Sequence, residues 1–202
     1  MARHFDLTAF TYAHRGLWSP EGHPENSLAA FKAAVKPLVD ESINNLRLAG
    51  TNEPIPTLAA LLDIWPTSLP LLTEMKIDGN TDPEAFARKV GDQLAGHIGP
   101  AAAMSFSEPA VDALPDVLMR GQLIHPIHRT SETEFDAKLA RAIDRKVDYL
   151  AINVADAERA AVLLAGERPF VVWTIRSMAD LRRIRLLHGA AIVEHLPVPL
   201  AS

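Results

Sequence analysis

The sequence predicts an α/β fold built as a (β/α) barrel, and three observations point to it. Short apolar runs of strand length alternate with helix-length patterns from one end of the 202-residue chain to the other. Most of the runs are continuously apolar rather than alternating, as in strands covered on both faces, so parallel pairing is expected. Polar residues collect where those runs end: His14, Glu74, Lys76, Ser105, His125, Asn153, Trp173-Thr174 and Glu194. A barrel gathers its active site from the C-terminal ends of many strands, and this favours it over a doubly wound open sheet.

The predicted strands are Thr11 to His14, Leu69 to Ile77, Ala102 to Phe106, Gln122 to Ile127, Tyr149 to Val154, Phe170 to Ile175 and Ala190 to Glu194. The predicted helices are Ser27 to Val35, Thr57 to Ile64, Pro83 to Leu94, Glu108 to Leu114, Glu132 to Arg145, Ala155 to Leu164 and Met178 to Leu187. Capping chemistry marks several starts: Asn26 or Ser27 before the first, Thr57 after Pro56, Asp82-Pro83 before the third and Ser177 before the last. No Ser/Gly/Pro-rich linker divides the pattern, so residues 1–202 are expected to form a single domain. A closed barrel needs eight strands and seven are clear. The shortfall lies between Val35 and Thr57, where the only β-like piece is Leu38-Val39.

Composition narrows the function. With 48% hydrophobic and 22% charged residues the chain has the make-up of a soluble globular protein. Twenty basic against 25 acidic side chains give a net charge of -5. The one basic cluster, Arg182-Arg183-Ile184-Arg185, falls in a helical pattern and reads as a solvated face, so nucleic acid is not an expected partner. The absence of cysteine excludes disulfides, zinc-thiolate sites and thiol nucleophiles. No apolar stretch approaches a signal peptide or a membrane span, and the expected location is cytoplasmic.

Two pairs of residues carry most of the chemistry. His14 can take or give a proton near neutral pH, and Arg15 beside it can grip a pair of phosphate oxygens. Gly16 and the Pro24-Glu25-Asn26 turn supply a tight bend and a helix N-terminus near the same mouth. Side chains two apart on a strand share a face, so Glu74 and Lys76 point the same way. On the barrel interior, Glu74 suits a hard divalent ion and Lys76 an anionic substrate; alternatively the two form an internal salt bridge.

The blocks His14-Arg15-Gly16, Pro24-Glu25-Asn26-Ser27-Leu28-Ala29-Ala30-Phe31, Ile55-Pro56-Thr57-Leu58, Thr73-Glu74-Met75-Lys76, Ser105-Phe106 and Trp173-Thr174 closely resemble the bacterial glycerophosphodiester phosphodiesterases. The resemblance follows order and approximate spacing over nearly the whole chain. It implies a TIM-barrel-like fold of the PLC-like phosphodiesterase type and hydrolysis of a small-molecule glycerophosphodiester to glycerol 3-phosphate and an alcohol, in lipid metabolism. It also implies a divalent metal, Ca or Mg. By the same resemblance His14 matches the first catalytic histidine, Arg15 the phosphate-binding arginine, Glu74 a metal ligand and Lys76 the lysine that accompanies it. Trp173 matches an aromatic residue lining the substrate pocket.

The pattern breaks after Val35. The family's Glu-x-Asp pair, which completes the metal site, and its His-Asp dipeptide, which supplies the second catalytic histidine, are both missing. Leu38-Val39-Asp40-Glu41-Ser42 stands in their place, which reads as an internal deletion that removes a barrel unit and leaves the fold incomplete or distorted. Asp40 and Glu41 are the candidate substitute metal ligands, and His125 or His128 the candidate substitute histidine. A seven-stranded barrel, an open sheet and a homodimer that closes the gap are the structural options. The functional ones are an impaired phosphodiesterase, a non-catalytic relative that binds phosphate esters, and a shortened form of an ordinary active enzyme.

Overall fold

The structure is a computed structural model, and it describes residues 4–15 and 56–197. Gly16, the predicted helix Ser27 to Val35, the Leu38-Val39 piece, Asp40 and Glu41 lie outside these residues. The described part contains seven strands: β1 (Thr11–Ala13), β2 (Leu71–Glu74), β3 (Ala101–Ser105), β4 (Met119–Leu123), β5 (Tyr149–Asn153), β6 (Phe170–Ile175) and β7 (Ala190–Val193). Between them run α1 (Leu58–Ile64), α2 (Pro83–Gly96), α3 (Glu108–Asp112), α4 (Glu132–Asp144), α5 (Ala157–Leu164) and α6 (Met178–Leu186). All strand pairs are parallel, in the order β1-β7-β6-β5-β4-β3-β2.

The sheet wraps into a nearly closed barrel because each strand buries both faces. Tyr12, Leu72, Met104, Leu123, Tyr149, Val171 and Ile192, one from each strand, meet in a single apolar cluster that fills the interior. The residues between them point outward and pack under the helices. One outer cluster joins β5 to β7 with α4, α5 and α6 through Phe135, Leu164, Val172 and Ile184, and the other joins β2 and β3 with α2 and α3 through Leu71, Leu94 and Val111's neighbour Ala110. Continuous apolar runs are thus the signature of strands covered on both sides.

Helix starts follow the predicted chemistry. The side chains of Thr57, Asp82 and Ser177 accept hydrogen bonds from the first-turn amides of α1, α2 and α6, with Pro83 at the head of α2. Ser107 and Ser131 do the same for α3 and α4.

β4 corrects the sequence reading. It spans Met119–Leu123 instead of Gln122 to Ile127, because Arg120 and Gly121 look like breakers but are accommodated. The Arg120 amide donates to Asp148 Oδ2 at 2.7 Å, and Gly121 lies under the Tyr149 ring, where a Cβ would collide with it. The strand predicted over Leu69 to Ile77 is likewise confined to Leu71–Glu74.

Gly121→Ala is expected to lower stability by about 1–3 kcal/mol through overpacking, read as a lower urea midpoint. Part of the loss should return in the Gly121→Ala/Tyr149→Leu double variant, since the two positions share one volume.

Candidate active site

The interior register, continued to the C-terminal end of each strand, sets the residues of the barrel mouth. Tyr12 pairs with Ile192, so His14 and Glu194 come side by side one step further on. Leu72 leads to Glu74, Met104 to Phe106, Leu123 to His125, and Val171 to Trp173. All six lie at the same end.

His14 is the best-defined group. Its amide donates to the Val193 carbonyl at 2.8 Å, extending the β1–β7 ladder, and its Nδ1 lies 2.8 Å from Glu194 Oε1. The other carboxylate oxygen, Oε2, accepts from Arg176 Nε and its neighbouring guanidinium nitrogen, each at 2.6 Å. The Glu194 side chain is only 5% exposed. Burial pushes its carboxyl up, but the hydrogen bonds and charges of His14 and Arg176 outweigh burial and hold it below the usual carboxylate range. With Nδ1 committed to a carboxylate, His14 presents Nε2 as its exchanging nitrogen. Arg15 follows with a left-handed backbone, φ 59°, so the turn out of β1 begins on Arg15 itself.

Three rings, carried by the ends of β3, β4 and β6, form a floor and wall of the mouth. Phe106 and Trp173 meet edge to face with centroids 6.0 Å apart, and both pack on the interior cluster. His125 stacks on Phe106 at 4.2 Å with 13° between planes. The backbone under Phe106 is fixed by buried polar groups. Ser105 Oγ donates to the Met75 carbonyl at 2.8 Å, and Gln122 Nε2 donates to the carbonyls of Ser105 and Phe106. Lys138 Nζ reaches the same Phe106 carbonyl at 3.0 Å. Burial, then the charges of Lys138 and Arg129, push the His125 imidazole below the usual histidine range, against a smaller opposing effect of Glu134. The Trp173 indole N–H is buried without a hydrogen-bond partner among the described residues.

Glu74 and Lys76 do share a side of the mouth, as an ion pair. Lys76 Nζ lies 2.8 Å from Glu74 Oε1, with the lysine 75% and the glutamate 28% exposed. This is the salt-bridged option, displaced from the interior to the rim. A calcium or magnesium ion asks for six or more oxygen ligands. The described residues do not fit that demand: Glu74 is engaged with Lys76, Glu194 with His14 and Arg176, and no group of three potential ligands occurs among them.

His14, Glu74, Lys76 and Trp173 are therefore placed at one mouth with Arg15 beside them. His128, in a short turn over Ile127–Arg129, is exposed and off the interior register. Glu194 stood among the polar strand ends in the sequence, but its partnership with His14 and Arg176 did not. The available signal was the two-residue period Ala190, Ile192, Glu194, matched to Tyr12 and His14.

Glu194→Gln is expected to lower stability by about 1.5–3 kcal/mol at pH 7, because charge-assisted hydrogen bonds are lost. Glu194's folded-state titration lies below its unfolded value, so its contribution is complete above about pH 5 and disappears as pH falls through that lowered value. Urea midpoints of the two proteins should converge as the pH is lowered through the acid range.

No protein-family model matches the sequence, and no curated protein does. Solved structures do. A candidate glycerophosphodiester phosphodiesterase from Galdieria sulphuraria aligns with a TM-score of 0.69 at 15% identity, covering 93% of this chain and 94% of that one. A glycerophosphodiester phosphodiesterase from Thermotoga maritima aligns at 0.67 and 18% identity, over 92% of this chain and 94% of that one. An Oleispira antarctica phosphodiesterase, in complex with the product sn-glycerol-3-phosphate, aligns at 0.58 and 18% identity over 70% of this chain and 58% of its own. Likeness at these identities is a likeness of architecture, and over 93% of its length the chain has the barrel fold of the glycerophosphodiester phosphodiesterases.

Proposed function

We propose that the protein is a phosphodiesterase of this type, hydrolysing a glycerophosphodiester to glycerol 3-phosphate and an alcohol. The observation that carries the reading is the His14–Glu194–Arg176 chain at the barrel mouth. A carboxylate on Nδ1 fixes the ring and its tautomer, so Nε2 exchanges a proton with an oxygen of the substrate, and the same carboxylate stabilises the imidazolium when it forms. Arg15 and Lys76 are the cations for the phosphate oxygens; Lys76 leaves Glu74 to meet them, a cheap exchange for an exposed pair. Trp173 lines the pocket, its ring set edge to face against Phe106.

In the hydrolysis water attacks phosphorus and loses a proton, the P–O bond to the alcohol breaks, and a proton goes to the departing oxygen. One histidine can serve either transfer. Without the family's second histidine, turnover is expected to be weak, since a single acid–base partner is worth about 10²- to 10⁴-fold.

A second reading, a non-catalytic protein that binds phosphate esters, is favoured by one observation. The only rim carboxylate assigned to a metal among the described residues, Glu74, is tied to Lys76.

Purified protein is expected to release glycerol 3-phosphate from glycerophosphocholine, and His14→Ala to reduce the rate about 10²- to 10⁴-fold. Turnover unaffected by His14→Ala would overturn the assignment. Glycerol 3-phosphate binding with no turnover would establish the second reading instead.

A further inference from the structure

We infer that His125 is a second proton-transfer residue of this mouth, acting as the base toward the attacking water while His14 serves the departing alcohol. The inference rests on the phosphodiesterase reading. His125 continues the interior register of β4, two residues past Leu123, so it projects into the same mouth as His14 from the far wall. An interior of about eight strands is just wide enough to be filled by side chains or to hold one small ligand. Rings from different walls meet here, since Phe106 beyond β3 touches Trp173 on β6. Three strands lie between β1 and β4 in the sheet order, so a phosphate ester held over that floor would have His14 on one wall and His125 on the other.

His125 is positioned without being consumed. Stacking on Phe106 fixes the ring plane, Pro126 follows it, and Asp156 Oδ2 accepts from the Ile127 amide at 3.2 Å to hold the loop. No hydrogen bond to either His125 nitrogen occurs among the described residues, so the imidazole keeps its lone pair for a ligand. The charged groups facing it are Lys138 and Glu134 from α4 and Arg129 from the turn below. Burial and the two cations favour the neutral ring, the form a base requires. His14 is held differently, with Nδ1 on the buried Glu194 carboxylate, which leaves Nε2 as the nitrogen that hands a proton to the alcohol oxygen. The balance closes: water gives its proton to His125, phosphorus exchanges one oxygen for another, and His14 gives its proton to the alcohol oxygen.

The test compares glycerophosphocholine with bis(p-nitrophenyl) phosphate, whose leaving group needs no proton, in wild type, His14→Ala, His125→Gln and His125→Phe. The phenylalanine variant keeps the stacked shape and guards against a folding artefact. Both His125 variants are expected to lose about 10²-fold or more on both substrates, whereas His14→Ala loses far more on glycerophosphocholine. The acid limb of kcat/KM against pH should lie below the ordinary histidine value of about 6.5, vanish in the His125 variants and move up in Arg129→Gln. His125 variants within threefold of wild type, or an unmoved acid limb, would overturn the inference while leaving the phosphodiesterase intact. Absence of turnover in wild type would instead remove the reading on which it rests.

Discussion

His14 stands at the barrel mouth because β1 pairs with β7. β1 is only three residues long, and three register pairs with β7 plus the His14 amide on Val193 hold it. That same pairing sets Glu194 beside His14, so one backbone contact both places the imidazole and supplies its carboxylate. Arg176, one residue beyond β6, then completes the chain from the neighbouring strand. Three adjacent strand ends thus build a polar assembly in the mouth whose geometry is fixed from backbone to side chain.

The two acid–base pairs at the mouth differ in kind. Glu194 is buried, and each of its oxygens is spoken for, so separating it from either partner leaves a desolvated charge behind. Glu74 and Lys76 face water, and exposed pairs contribute roughly 0–1 kcal/mol. The first pair fixes the His14 ring in place, and the second is free to rearrange at little cost. The aromatic wall is held differently again, by hydrogen bonds from Gln122 and Lys138 to the carbonyls of Ser105 and Phe106, with the Ser105 hydroxyl tied across to the Met75 carbonyl.

Much of the architecture was legible because local chemistry encodes it. Uninterrupted apolar runs announced strands covered on both faces, and Thr57, Asp82 and Ser177 announced helix starts. β4 was misplaced because Gly121 reads as a breaker, and its reason, the Tyr149 ring, lies on the next strand. The His14–Glu194 contact joins positions 180 apart. Nothing within a window of sequence says which strand will lie beside β1, and until that is known Glu194 is one polar strand end among several. Lys138 was equally silent, since its carbonyl partner at Phe106 carries no side-chain signal.

The packed interior carries one more consequence. Tyr12, Tyr149, Met104 and Met119 fill the barrel below the Phe106–Trp173 contact, so the roots of the strands are occupied with staying folded and only their tips are left to form the mouth. Roots and tips can then drift separately over evolutionary time. Residues at the tips are free to be lost, exchanged or recruited while the scaffold persists. A chain can therefore retain this architecture at 13–18% identity to its structural neighbours.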